Sequence, residues 1–257
     1  MAEPSAFHLR PLHYGLAVLV YLVLLLAWAP ASLLAWALPR MTHEAVWLDR
    51  PDGSVWRGQA AGLLLRQGAG PAVQLGRVNW QVRPQDVLTG HLGYQVTVAG
   101  SEVQATGMLR AGLKGMELRA TRAELPASWL GQVSPDLDLW QPGGKLALET
   151  DSLVFGRDGT AGRATLRWPD ATSARVRGAL GSYRAELEGG GRGIEIKLST
   201  ESGALQLQGA GLWIPGKGMT FFGQARPAPG SQTELEDLLS LFGPAQPNGD
   251  RVIRIGR

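Results

Sequence analysis

Four histidines, one pair of alternating aspartates and scattered serines are the side chains in this sequence that could carry chemistry. The histidines are His8, His13, His43 and His91. The first three flank a long apolar segment, and none stands at metal-ligand spacing from another histidine or a carboxylate. Asp136 and Asp138 alternate in Ser-Pro-Asp-Leu-Asp-Leu-Trp. On a strand both would point the same way, as a calcium site or an acid–base pair requires. Their ordinary place is a solvated strand face or a turn. No Gly-rich stretch leads into Lys-Ser or Lys-Thr, no Gly-x-Ser-x-Gly elbow occurs, and nothing sets a serine beside a histidine. The chain has no cysteine, which excludes disulfides, thiolate zinc sites and thiol catalysis. The sequence offers no catalytic, metal or cofactor constellation, and a role other than enzyme is expected.

Charge narrows the partners. The formal net charge is +3 over 257 residues, with 25 basic and 22 acidic side chains interspersed. No basic cluster interleaves with aromatics, so nucleic acid is not an expected partner. No small-molecule substrate is expected either. Hydrophobic residues make up 44% and charged residues 18%, a balance that suits an ordered chain. Thirty-five glycines without a collagen-like period point to many turns and a mainly β protein.

The elements that would position any site begin with the apolar segment. Between Arg10 and Arg40 there is no charged side chain, and Gly15 to Leu38 is nearly continuous apolar sequence. As one helix it would exceed a hydrocarbon thickness of about 30 Å. A transmembrane helix over 14–38 is therefore expected, after a short tail over 1–13. Tyr14, Trp28 and Trp36 suit the interfaces. Pro30, lacking a backbone donor, marks either a kink or the helix end. A cleaved signal peptide competes, through Ala35-Trp36-Ala37, although the apolar run exceeds the roughly 7–15 residues usual for one. Flanking charge leaves the orientation open.

Beyond residue 39 the hydrophobic period becomes two. Val78/Trp80/Val82, Tyr94/Val96/Val98, Leu146/Leu148 and Ala164/Leu166/Trp168 alternate with polar residues, as do Tyr183/Ala185/Leu187, Ile194/Ile196/Leu198, Leu205/Leu207 and Leu212/Ile214. Such strands bury one face and wet the other. Gly-rich breaks at 189–193 and 201–203 have hairpin spacing, and no crossover helix fits between runs. Val73 and Leu75 are out of phase with Val78, so a bulge at Gly76-Arg77 is expected. A curved antiparallel domain over 39–226 follows. Helical turns are expected at Pro84–Gly90 and Leu125–Leu130.

A C-terminal helix is expected over 231–242, within a terminal segment 227–257. Ser231 and Glu234 have capping-box spacing. Leu235, Leu238, Leu239 and Phe242 make one apolar face, for packing on the sheet or for docking a partner. Trp56 and Trp80 each sit in alternating runs, as core anchors do. The sharper alternative is an exposed partner groove.

Several short stretches together resemble the type II secretion system protein N family, also called general secretion pathway protein N. They are Gly53-Ser54-Val55-Trp56-Arg57-Gly58, Trp80-Gln81-Val82-Arg83-Pro84, Leu88-Thr89-Gly90, the Leu125-Pro126 and Leu130 segment, Gly209-Gly211, and Leu238-Leu239 to Gly243. The resemblance implies a single-pass inner-membrane protein with a short cytoplasmic tail over 1–13 and a periplasmic β domain, an auxiliary component of the apparatus. A non-catalytic scaffold or assembly factor is the role expected of such a chain. It implies partners among the secretion apparatus. The Trp-x-x-x-Pro element is also similar to one in AsmA-like proteins, which build curved sheets and associate with envelope lipid, so membrane lipid is the alternative partner.

Overall fold

The computed structural model describes residues 11–66, 72–87, 90–112, 115–133, 135–156, 159–215, 217–241, 244–247 and 249–256. His8, most of the expected 1–13 tail, Leu88-Thr89 and Phe242-Gly243 lie outside the described residues.

The apolar segment folds as two helices, α1 (Pro11–Ala27) and α2 (Ser32–Met41), in place of the single helix expected over 14–38. Pro30 supplies the reason. It has no N–H to continue the ladder, and its ring disfavours a helical residue before it. The helical ladder breaks across 28–31, and Pro30 forms a β-bridge with Ser54. Among the described residues no helix is long and apolar enough to cross a membrane. Large side chains from Tyr14 to Leu26 are 49–61% exposed, on every side of α1.

Fourteen strands among the described residues then form one open sheet. They are β1 (Val46–Gly53), β2 (Arg57–Leu65), β3 (Val73–Arg83), β4 (Leu92–Ala99), β5 (Gln104–Gly112), β6 (Gly115–Pro126), β7 (Pro142–Gly143), β8 (Lys145–Gly156), β9 (Gly159–Ser173), β10 (Ala179–Gly190), β11 (Gly193–Ser202), β12 (Leu205–Ile214), β13 (Gly218–Pro227) and β14 (Arg251–Ile255). Each strand pairs with its neighbours in sequence, except that β6 pairs with β8 while β7 pairs with β9. Every pairing is antiparallel, as hairpin-length breaks require. The terminal segment expected as a tail thus contains a strand, β14, paired to β13. Its two arginines in five residues hid the alternation.

Consecutive hairpins alternate between two rims. The β1–β2, β3–β4, β10–β11 and β12–β13 connections lie at the first rim. At the second rim lie 100–103, 203–204 and a longer insertion between β6 and β8. That insertion carries a 3-10 turn (Ala127–Trp129), α4 (Leu130–Val133) and α5 (Pro135–Asp138). Asp136 and Asp138 therefore sit in a helical turn and not on a strand. Near the first rim, α3 (Pro84–Val87) forms with Pro at its first position.

The sheet bends where its register slips. Gly76, at φ +121°, pairs with Leu63 beside shifts in the β2–β3 register, at the expected phase change. Leu75, Val78, Trp80 and Val82 are all buried as a result. Further shifts lie between Thr106 and Met108 and between Thr150 and Ser152. The curl is visible in one contact. Phe155 of β8 and Trp213 of β12 meet edge to face, with ring centroids 6.3 Å apart. Four strand spacings in a flat sheet would separate them by about 19 Å. The second half of the sheet therefore wraps into a half-barrel.

Two cores result. One gathers Ala31, Ala60, Leu75, Val78, Trp80, Val98 and Val103. The other centres on Leu146, Trp168, Tyr183, Leu205 and Leu207, with Leu235, Leu238 and Leu239 from α6 (Gln232–Ser240) pressed onto it. Ser231 precedes α6, but its side chain makes no capping hydrogen bond, contrary to the capping-box expectation. Its φ of −100° and ψ of 8° are not the extended geometry from which a cap oxygen reaches the N3 amide.

Candidate functional site

Two arrangements stand out, a clasp at the first rim and a trough on the concave face. The clasp is the Gly53–Gly58 segment. Gly53 adopts φ +90°, which lets the chain turn back after β1. The residues between the helices lie against that turn. Ala31 N–H donates to Gly53 O at 3.0 Å, and Val55 N–H donates to Ala29 O at 2.9 Å. The Trp56 indole N–H donates to Leu26 O at 2.8 Å. That carbonyl is among the last of α1, a group that the helix itself cannot satisfy. Trp56 is half-buried, its polar end spent on the helix. Trp80 lies deeper, 6% exposed, with its indole N–H donated to Ser54 O at 3.1 Å. Its ring rests on Gly58, where an added Cβ would come within 2.6 Å of it.

The trough lies on the concave face of β8–β14, with a volume of about 350 Å³. Its floor is Leu166, Ala185, Leu187, Ile196 and Leu198, and Ile253 and Ile255 of the edge strand face inward with them. Leu130, Leu137 and Trp140 of the insertion line the second-rim end. No charged or amide side chain is among the lining residues. The hydroxyl of Tyr183 donates to Leu205 O at 2.8 Å, and the indole of Trp168 to Gly143 O at 3.0 Å. Burial pushes the Tyr183 phenol well above its ordinary pKa. The second-rim end is closed, since Leu205, Leu235 and Leu238 are at most 1% exposed. Toward the first rim Leu187, Trp213, Met219 and Phe221 are only half-buried. There the Phe221 ring covers Gly209, Gly211 and Gly223, where any Cβ would lie within 2.9 Å of it.

Charged groups serve the frame. Asp86 of α3 is 4% exposed and accepts from Arg110 of β5. That hydrogen bond holds its carboxyl below the usual range, against the opposing pull of burial. Gly93 leaves the room Asp86 occupies. Arg226 donates through Nε and Nη2 to both Asp250 oxygens at 2.5 and 2.7 Å, fastening the loop before β14. Among the described residues no group of three or more His, Asp or Glu could hold a metal ion.

The sequence-derived candidates divide accordingly. Trp80 is in the first core, Trp56 in the clasp, and Leu235, Leu238 and Leu239 are buried under α6. Phe242 lies outside the described residues. His43 and His91 lie in separate loops.

A family model described as type II secretion system (T2SS), protein N matches residues 44–254. The chain belongs to the type II secretion system protein N family. The family is an accessory component of type II secretion. The match to protein N starts after α2 and ends within β14, so it covers the sheet, the trough and the sheet side of the clasp. No curated protein and no solved structure matches the chain.

Alternation alone does not reveal the trough. It makes Leu212 and Ile214 the inward pair of their run, whereas Trp213 faces the trough. The missed signal is Leu205, Leu207, Gly209, Gly211, Trp213, a period of two in which glycine holds two inward places. Phe155 lacks an alternating neighbourhood to mark it, since the Thr150/Ser152 shift breaks the phase just before it.

Proposed function

We propose that this chain is a non-catalytic, membrane-tethered accessory subunit of the type II secretion system. The family match over 44–254 carries the reading. In it, α1 seats in the inner membrane and the sheet lies on the periplasmic side as a scaffold or assembly factor. Support for the tether is physical. A helix whose large side chains from Tyr14 to Leu26 are apolar and exposed on every side is stable in hydrocarbon and costly in water. Its 17 described residues rise about 25 Å, short of a hydrocarbon thickness of about 30 Å, so α1 supplies the apolar seat of the tether and does not by itself make a full crossing. Trp28, 83% exposed, and Trp36, stacked under Arg40 at 4.1 Å, suit the interface beside it. The clasp then transmits the position of the helix to the sheet, through Trp56 and the Pro30–Ser54 bridge.

The test is a pull-down of the full chain after crosslinking in intact membranes, with bound proteins identified. Recovery of inner-membrane secretion subunits is expected. Their absence from every crosslinked species would overturn the scaffold role.

A further inference from the structure

We propose that the trough holds an acyl chain of a bilayer phospholipid, entering at the rim from which α1 departs. The lining chemistry selects the ligand. An extended peptide would bring N–H and C=O groups that need partners, and burying them unpaired costs several kcal/mol each. The trough lining offers no charged or amide side chain, and the Tyr183 O–H and Trp168 N–H already donate hydrogen bonds to backbone carbonyls. Hydrocarbon asks for nothing more than such a surface. A volume of about 350 Å³ is within the range of small-molecule sites.

Position selects the source. The trough is closed at the second rim by α6 and is least covered toward the first. The first rim also carries residues 54–56, which hold the end of α1. Strand alternation alone thus puts the mouth and the apolar helix on one side of the sheet. Phe155 and Trp213 meet there, so a chain entering the mouth passes an aromatic pair. Membrane proximity of the mouth rests on the tether proposed above, and the experiment separates the two.

The full chain is reconstituted in phosphatidylethanolamine–phosphatidylglycerol vesicles, doped with a phosphatidylethanolamine bearing a diazirine at one acyl terminus. After irradiation, adducts are mapped by peptide mass. Adducts on Leu187, Ile196 or Trp213 together with adducts on α1 are expected. The variant Ile196→Trp, which fills the floor, lowers trough adducts about tenfold. Lys197→Trp, on the opposite face of the same strand, leaves them unchanged. Adducts on α1 alone overturn the trough proposal and leave the tether standing. Trough adducts without α1 adducts uphold the trough and overturn the tether. Equal trough labelling in a folded Ile196→Trp chain also overturns the proposal. Should Ile196→Trp not fold, the unaltered chain's map decides.

Discussion

The two halves of the sheet use the same meander to opposite ends. In the first half a large aromatic fills the concavity: Trp80 lies on Gly58, and Ala31 from the start of α2 closes over the same core. In the second half the concavity stays open between two walls, although its strands are longer and its aromatics as large. The difference lies in where the glycines sit. Gly58 admits an indole into the core of β1–β5, whereas Gly209, Gly211 and Gly223 let Phe221 lie flat against the sheet and leave the space above it empty. Tryptophan indoles also divide by task. Those of Trp56 and Trp80 bond the helix end and the turn, holding pieces of chain together, while Trp213 borders the trough.

The contrast is broken most severely at Trp80. Trp80→Ala empties the filled half and strips the Ser54 carbonyl of its donor. A loss of about 3–5 kcal/mol in urea unfolding is expected. Paired leucine truncations sharpen the comparison within the second half. Leu205→Ala, at a fully buried position, is expected to cost about 2–5 kcal/mol. Leu187→Ala, beside a space that already exists, is expected to cost about 1 kcal/mol, one lost methylene or so of burial. Equal losses at the two sites would mean that the trough is packed like the core.

Smaller effects probe the clasp and the frame. Trp56→Phe keeps the ring and removes the indole donor, for an expected loss of about 0.5–1.5 kcal/mol. Faster amide exchange in 26–31 should accompany it, with β10–β12 unchanged. Acid tests the Asp86–Arg110 pair. A carboxyl held below its unfolded pKa adds stability above that value and loses it as pH falls through the lowered one. Urea midpoints should therefore decline as pH drops below the ordinary carboxylate range. Asp86→Asn should decline less steeply over that window, and an unchanged slope would remove Asp86 as a cause.

Much of this was legible in the residues. Alternation located most strands, Gly189–Gly193 located a hairpin, and the phase change at Gly76 located a bend. Each of these is local, set by side-chain direction along one strand. What was hidden depends on distant partners. Nothing within 14–38 says that Ser54 will pair with Pro30, so the apolar run read as one helix. Strand β14 forms only because β13 offers it an edge. The trough depends on curvature, which brings β8 opposite β12, and on glycines that hydrophobicity counts pass over. The clasp is an intermediate case, since Gly53-Ser54-Val55-Trp56-Arg57-Gly58 was visible as a motif while its contact with Leu26 was not.

The filled and open halves are most directly compared by diffusing xenon, which enters dry apolar cavities, into crystals of the protein. Xenon density between Leu187, Ile196 and Phe221, with none beside Trp80, is the expected result. Xenon in the first core, or an unoccupied and collapsed space beneath Phe221, would contradict it.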